Sequence, residues 1–256
     1  MKKIVFFDID GTLLDQEKKL PASTKRAIQL LKENGVFVAI ATGRAPFMFT
    51  GLKNELDIDS YVSFNGQYVV FENEAIYKNP LEQDELKRFL QDAKANEHPL
   101  IFMNELTMKA TTHYHPFIET SMGSLLFPHP DEDQTFFAHN EIYQSLLFCK
   151  DDEEKFYFND FAKFDFIRWH PYSVDILPKG GSKAEGIKKM IDRLGFDLKD
   201  VYAFGDGLND LEMLKAVGTG VAMGNGVPEA KEIANFVTTD VSEDGIWNGL
   251  KELKLI

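Results

Sequence analysis

The sequence predicts an α/β fold, a doubly wound parallel sheet with a smaller α+β domain inserted into it. Three observations carry this expectation. Short apolar runs stop abruptly at polar or Gly-rich turns, at residues 4–7, 36–41, 201–204 and 220–223. Their hydrophobicity is continuous rather than alternating, as suits strands covered on both faces. Amphipathic helical patterns lie between them, but this rhythm is lost from about residue 98 to residue 177.

The elements follow in order. Residues 4–7 form a strand that stops at Asp8. Ser23 or Thr24 can cap a helix carrying Ala27, Ile28, Leu30 and Leu31, ended by Gly35. Residues 36–41 lead to Thr42-Gly43-Arg44, and Asn65-Gly66 with residues 67–77 reads as hairpin structure. Residues 80–95 read as a helix with Leu86, Phe89, Leu90 and Ala93 on one face. Residues 81–178 are taken as the inserted domain, which leaves 1–80 and 179–256 as the core. Ser182-Lys183-Ala184-Glu185 is a capping-box pattern before Ile187, Met190, Ile191 and Leu194. Residues 208–217 and 228–234 read as two further short helices.

Within the insert, Tyr157, Phe161 and Phe164 recur at helical spacing and are expected as helical core. The acidic run at residues 151–154 reads as a solvated helix start, and Cys149 as a buried strand residue. His113-x-His115 would place two imidazoles on one strand face, with His129 and His139 further on. No acidic or Cys partner follows at ligand spacing, so a solvated or ligand-lining role is expected there instead of a metal site.

Charge narrows the function. Against 41 Asp+Glu stand 28 Lys+Arg, a net charge of −13, which opposes a nucleic-acid binder or an acidic membrane face. No apolar run approaches the ~20 residues of a spanning helix, and the apolar part after the start ends too soon for a signal peptide. A single cysteine forms no internal disulfide, so a cytoplasmic location is expected.

The chemistry concentrates at the strand ends. Asp8-Ile9-Asp10-Gly11-Thr12 follows the first strand, and two carboxylates there can face the crevice beyond the sheet edge. Crowded carboxylates repel unless a cation or proton sits between them, and Mg²⁺ suits such oxygen ligands. By itself the pattern fits an Asx-type turn equally well. Gly205-Asp206-Gly207-Leu208-Asn209-Asp210 adds carboxylates at a second strand end, and Thr42-Gly43-Arg44 a hydroxyl and backbone N–H groups at a third. Lys183 stands in the first turn of a helix, where the dipole disfavours a cation, and that misplacement suggests that its ammonium serves an anion nearby.

With these four segments in order, the sequence resembles the haloacid dehalogenase (HAD) superfamily of phosphatases, with an insert similar to the large cap of its Cof-type members. The resemblance implies a Rossmann-like core and a set of roles. Asp8 would be the nucleophile, forming an aspartyl-phosphate, and Asp10 the general acid and then base. Mg²⁺ would be held by the Asp8 side chain, the Asp10 carbonyl and Asp206. Thr42, with the N–H groups of Ile9 and Gly43, would bind phosphate oxygens, as would Asn209, while Lys183 would offset the charge of Asp8 and phosphate. Asp210 would orient Lys183 or a metal-bound water, and Arg44 would either reach substrate or brace its loop.

The expected activity is Mg²⁺-dependent hydrolysis of small phosphomonoesters, sugar phosphates or related metabolites. A sugar phosphomutase would use the same Asp8 and Asp10. A phospho-accepting signalling domain is disfavoured, because an acid/base beside the acceptor speeds turnover. A P-type pump would need membrane helices. The expected partner is a small phosphorylated metabolite, with no nucleic acid or membrane; the sequence specifies no oligomeric state.

Overall fold

A computed structural model describes residues 2–256. The described chain divides into two compact units, residues 2–44, 48–77 and 182–256 in the first and residues 45–47 and 78–181 in the second.

The first unit is built on an eight-stranded sheet. In chain order it contributes β1 (Ile4–Phe7), α1 (Ala22–Glu33), β2 (Phe37–Ala41), α2 (Thr50–Leu56), β3 (Tyr61–Ser63), β4 (Tyr68–Phe71) and β5 (Glu74–Lys78). The second unit then supplies α3 (Gln83–Ala95), β6 (Leu100–Met103), β7 (Met108–Ala110), α4 (Pro116–Ser124), α5 (Phe136–His139), β8 (Gln144–Leu147), β9 (Phe164–His170) and β10 (Ser173–Pro178). The first unit closes with α6 (Lys183–Leu194), β11 (Val201–Gly205), α7 (Leu211–Ala216), β12 (Thr219–Ala222), α8 (Pro228–Ile233), β13 (Phe236–Val237) and α9 (Gly245–Glu252).

The large sheet runs β13-β12-β11-β1-β2-β3-β4-β5. Its first six strands are parallel, and β4 turns back antiparallel on β3. Alternation along β1 explains the two helical layers. Ile4 and Phe6 join a core with Ile187, Met190 and Ile191 of α6 and Met213 and Leu214 of α7. Phe7 points to the other face, where it stacks on Phe204 and where Gly249 of α9 comes so close to Phe204 that a Cβ would fall 2.6 Å from the ring. The chain order reverses at β1, between β11 and β2, and in such sheets ligands bind beyond the carboxyl ends at that switch.

The second unit has a five-stranded antiparallel sheet in the order β7-β6-β8-β10-β9. Its core packs Leu86, Phe89, Leu90 and Ala93 of α3 against Phe102, Leu147, Val174 and Ile176 of the sheet. Phe89 meets Tyr157, Phe161 and Phe164 edge-on, at 5.1, 5.1 and 5.7 Å between ring centres.

Several local expectations are corrected. Neither Ser23 nor Thr24 caps α1: Pro21 precedes its first residue at φ −62°, and its preset backbone starts the helix two or three residues earlier. Tyr157, Phe161 and Phe164 are buried but not helical, because a 3₁₀ turn ends at Tyr157 and Phe164 pairs with Pro178 in the sheet. The ladder with β10 overrides the local period. Glu154 in the acidic run is buried, not solvated, because Arg168 of β9 donates to it at 3.0 Å. His113 lies in a bend and His115 is the N-cap of α4, accepting from the Phe117 N–H, so the two share no strand.

Candidate active site

Three neighbouring strands, β11, β1 and β2, deliver Asp206, Asp8 and Thr42 just beyond their carboxyl ends. Asp8 is held in line by its own N–H, which donates to the Phe204 carbonyl at 3.0 Å. The loop after it turns at Gly11, φ +78°, where any Cβ would lie 2.2 Å from Asp206 Oδ2. Glycine there lets the two acidic loops touch. Thr12 donates its hydroxyl to Asp206 Oδ1 at 2.9 Å. Ile9 is buried in the same loop, with its carbonyl accepting the Leu14 N–H at 2.8 Å.

Lys183 reaches this point from the first residue of α6. Ser182 caps that helix by accepting the Glu185 N–H. The helix start is seated on Gly66, φ +97°, where a Cβ would fall 2.0 Å from the Ser182 carbonyl oxygen. Asn65-Gly66 is thus a turn whose tightness positions a lysine far away in sequence. The Lys183 ammonium, 1% exposed, lies 2.5 Å from Asp8 Oδ1 and 2.6 Å from Asp210 Oδ1. Asp210 Oδ2 in turn accepts the N–H groups of Asp206 and Gly207, both at 2.9 Å. Both Asp210 oxygens are therefore engaged.

The electrostatics are those of too many anions for one cation. Asp8, Asp206 and Asp210 each offer an oxygen within 4.8 Å of the others. Burial, opposed by Lys183 and aided by the other two carboxylates, pushes Asp8 up to about 8. Burial, opposed by Thr12, pushes Asp206 up to about 6. Burial works against the Lys183 charge, but Asp210 and Asp8 outweigh it and raise its value. A divalent cation fits this donor set: hard oxygens, crowded and under-neutralised, with Asp8 and Asp206 less committed than Asp210.

Asp10 and Arg44 form a second group. Arg44 donates to both Asp10 oxygens, at 2.8 and 2.7 Å, and Lys18 donates at 2.6 Å. Burial would raise the Asp10 carboxyl, but Arg44 and then Lys18 outweigh it and hold it below the usual range. Arg44 thus holds Asp10 through both carboxylate oxygens. Thr42 is buried, and its Oγ1 accepts the Arg44 N–H at 3.1 Å, which leaves its O–H free to donate. Gly43 faces the Asn65 side chain, while Asn209 is exposed with its Oδ1 against Gly207. Sequence reasoning missed Lys18, for which no local signal exists, and the packing role of Asn65, for which the turn chemistry of Asn65-Gly66 was the only signal.

The haloacid dehalogenase-like hydrolase family model matches residues 5–250. The chain belongs to the haloacid dehalogenase superfamily. It is a Cof-type phosphatase. A Bacillus subtilis relative named "Putative phosphatase YkrA" is 55% identical to it, over 99% of this chain and 98% of the relative. The solved structure of a hypothetical protein from Geobacillus kaustophilus is 57% identical, with a TM-score of 0.97 over the whole of both chains. The structure of a HAD subclass IIB sugar phosphatase is 31% identical, with a TM-score of 0.85 over the whole of both. Among the described residues of this phosphatase, no helix is long and apolar enough to cross a membrane.

Proposed function

We propose that the phosphatase is Mg²⁺-dependent and hydrolyses small phosphomonoesters, sugar phosphates or related metabolites, through an aspartyl-phosphate on Asp8. The observation that carries the reading is the buried ammonium of Lys183, fixed on Asp8 Oδ1 by a second carboxylate, Asp210. A fixed cation at that oxygen compensates charge as a phosphoryl group approaches.

In the first step an Asp8 oxygen attacks phosphorus, the bond to the ester oxygen breaks, and Asp10 gives that oxygen its proton. Arg44 and Lys18 favour ionised Asp10 in the free enzyme, and an incoming phosphoryl anion opposes them and favours the protonated acid. In the second step Asp10 takes a proton from water, whose oxygen attacks phosphorus and frees Asp8. Thr42, with the N–H groups of Ile9 and Gly43, and Asn209 steady the phosphoryl oxygens. Mg²⁺ would be held by Asp8, Asp206 and the Asp10 carbonyl, and when bound it supplies the positive charge that lets an anionic ester approach a carboxylate. The second unit acts as the cap that selects the ester, and the expected compartment is the cytoplasm.

The test is phosphate release by purified protein from a panel of phosphate esters, with Mg²⁺ or with EDTA. Release from sugar phosphates that needs Mg²⁺ is the expected result. Full activity after exhaustive chelation, or activity confined to diesters, would overturn the proposal.

A further inference from the structure

A fourth strand end enters the acidic site without supplying an acid. β12 stops at Ala222, and the chain turns through Gly224-Asn225-Gly226 before α8 begins at Pro228. From this turn Asn225 Nδ2 donates to the Gly11 carbonyl at 2.7 Å, although the two residues lie 214 apart in sequence. Asn225 Oδ1 accepts the Val241 N–H at 2.9 Å. One end of the amide meets an acceptor and the other a donor, so its orientation is set by its partners. Two residues further on, the Val227 N–H donates to the Asp206 carbonyl at 2.8 Å. The turn therefore grips both acidic loops, one through a side chain and one through its backbone.

That grip needs close approach. A Cβ on Gly226 would fall 3.1 Å from the Asp206 carbonyl oxygen, and one on Gly224 would fall 2.4 Å from the Asp240 nitrogen. Glycine on each side of Asn225 lets the turn lie against the loops after β11 and β13 at once.

What Asn225 holds is the residue on which the first acidic loop turns. Gly11 lies between two peptide planes, each of them rigid. The plane before it carries the Asp10 carbonyl and the Gly11 N–H, which donates to the Leu14 carbonyl at 2.9 Å. The plane after it carries the Gly11 carbonyl, which Asn225 holds. Fixing both planes fixes the direction of the Asp10 carbonyl. Gly11 is also pressed against the Asp206 carboxylate, since a Cβ would lie 2.2 Å from Oδ2, and the next residue, Thr12, donates to Oδ1 at 2.9 Å. A shift of Gly11 would therefore move the Asp10 carbonyl and the Asp206 carboxylate, two of the three groups assigned to the cation. Mg²⁺ tolerates little departure from octahedral geometry, so its affinity depends on how well its ligands are held in place.

We propose that Asn225 is a positioning residue for the divalent cation, acting through Gly11 on the Asp10 carbonyl and the Asp206 carboxylate. The proposal rests on the Mg²⁺-dependent reading of the site and adds to it a residue that acts without ligating. Its partner at the other end, the Val241 N–H, anchors the amide to a loop that carries no acid of the site.

The test titrates Mg²⁺ alone, by calorimetry, into ester-free wild type, Asn225→Ala and Thr238→Val, with melting temperatures measured alongside. Thr238→Val is the control for loosening alone. It deletes the buried bond from Thr238 Oγ1 to the Gly245 carbonyl, at 2.7 Å, which does not reach Gly11. Both variants should melt below wild type, because each leaves a polar group without its partner. Only Asn225→Ala should bind Mg²⁺ more weakly, by at least about tenfold, the lower end of what removing the outer support of a metal ligand costs. A smaller loss in Asn225→Ala, or an equal one in Thr238→Val, overturns the proposal and leaves the Mg²⁺-dependent reading standing. Wild type that binds no Mg²⁺ overturns that reading and the proposal with it. Should Asn225→Ala fail to fold, Asn225→Asp decides. That variant keeps an acceptor for the Val241 N–H and loses the donor to Gly11, while its added negative charge by itself favours a nearby cation. Weaker Mg²⁺ binding by Asn225→Asp supports positioning, and equal or tighter binding overturns it.

Discussion

At the strand ends of the first unit, buried ionic groups are joined into one chain of contacts: Asp8 to Lys183, Lys183 to Asp210, and Asp210 to the backbone of Asp206 and Gly207. In the sheet of the second unit, by contrast, Ser173 Oγ and Gln144 Oε1 are buried with their bonds unmade. The contrast teaches what each region is organised to meet. A network closed on itself is preorganised for charge that arrives in the reaction, and it need not change with the ester. An unclosed one leaves the desolvation cost of its buried polar atoms uncompensated within the unit.

The largest effect should come from breaking the closed network at its reactive end. Asp8→Asn should lower kcat by at least about four orders of magnitude, since the amide is nearly isosteric but a poor nucleophile. Its far-UV circular dichroism should match wild type; activity near wild type in a clean preparation would contradict the assignment. Lys183→Met should follow, lowering kcat by about 10²–10³-fold. It should also cost about 3–5 kcal/mol of stability by urea unfolding, because Asp8 and Asp210 stay buried without their cation. A stable but inactive Lys183→Met protein would show that the lysine serves chemistry alone. Mg²⁺ titration sharpens the same region without activity. The melting temperature of wild type should rise with Mg²⁺, and that of Asp206→Asn should not.

A smaller effect separates the second unit. Arg168 holds Glu154 ionised, ahead of the opposing effect of burial, and keeps its value below the ordinary 4.5. A depressed carboxyl contributes stability that is fully present above its unfolded value and lost as pH falls through its folded one. Glu154→Gln should therefore lower the melting temperature at neutral pH, with the gap to wild type closing as the pH is taken below 4.5. A gap that stays constant with pH would mean that the pair contributes by packing rather than charge.

Much of the first unit was legible because its signals are local. An apolar run that stops at Asp8, Thr42 or Gly205 marks a strand end, and Ser182 with Glu185 marks the start of α6. A cation in that first turn, against the dipole, already pointed to an anion nearby. The clamp of Arg44 and Lys18 on Asp10 was not legible, since it depends on how a surface turn folds back. In the second unit, Tyr157, Phe161 and Phe164 were rightly expected in the core for the wrong reason: spacing of three and four signals burial on one side, and strand pairing with β10 decided the backbone. Glu154 and Arg168 lie 14 residues apart, and nothing local announces that one buries the other. The bulge at Trp169, where the pairing steps from Arg168–Val174 to His170–Ser173, likewise exists only once β9 and β10 are in register.

The central claim is that Asp8 carries the phosphoryl group. The direct measurement is rapid quenching of the enzyme during turnover of a good ester, reduction with borohydride, and peptide mass spectrometry. An acyl phosphate at a carboxylate is reduced to the alcohol, so Asp8 should appear as homoserine in substrate-treated protein and not in the untreated control. Reduction at Asp10 or Asp206, or none at Asp8 under conditions where phosphate is being released, would contradict the account.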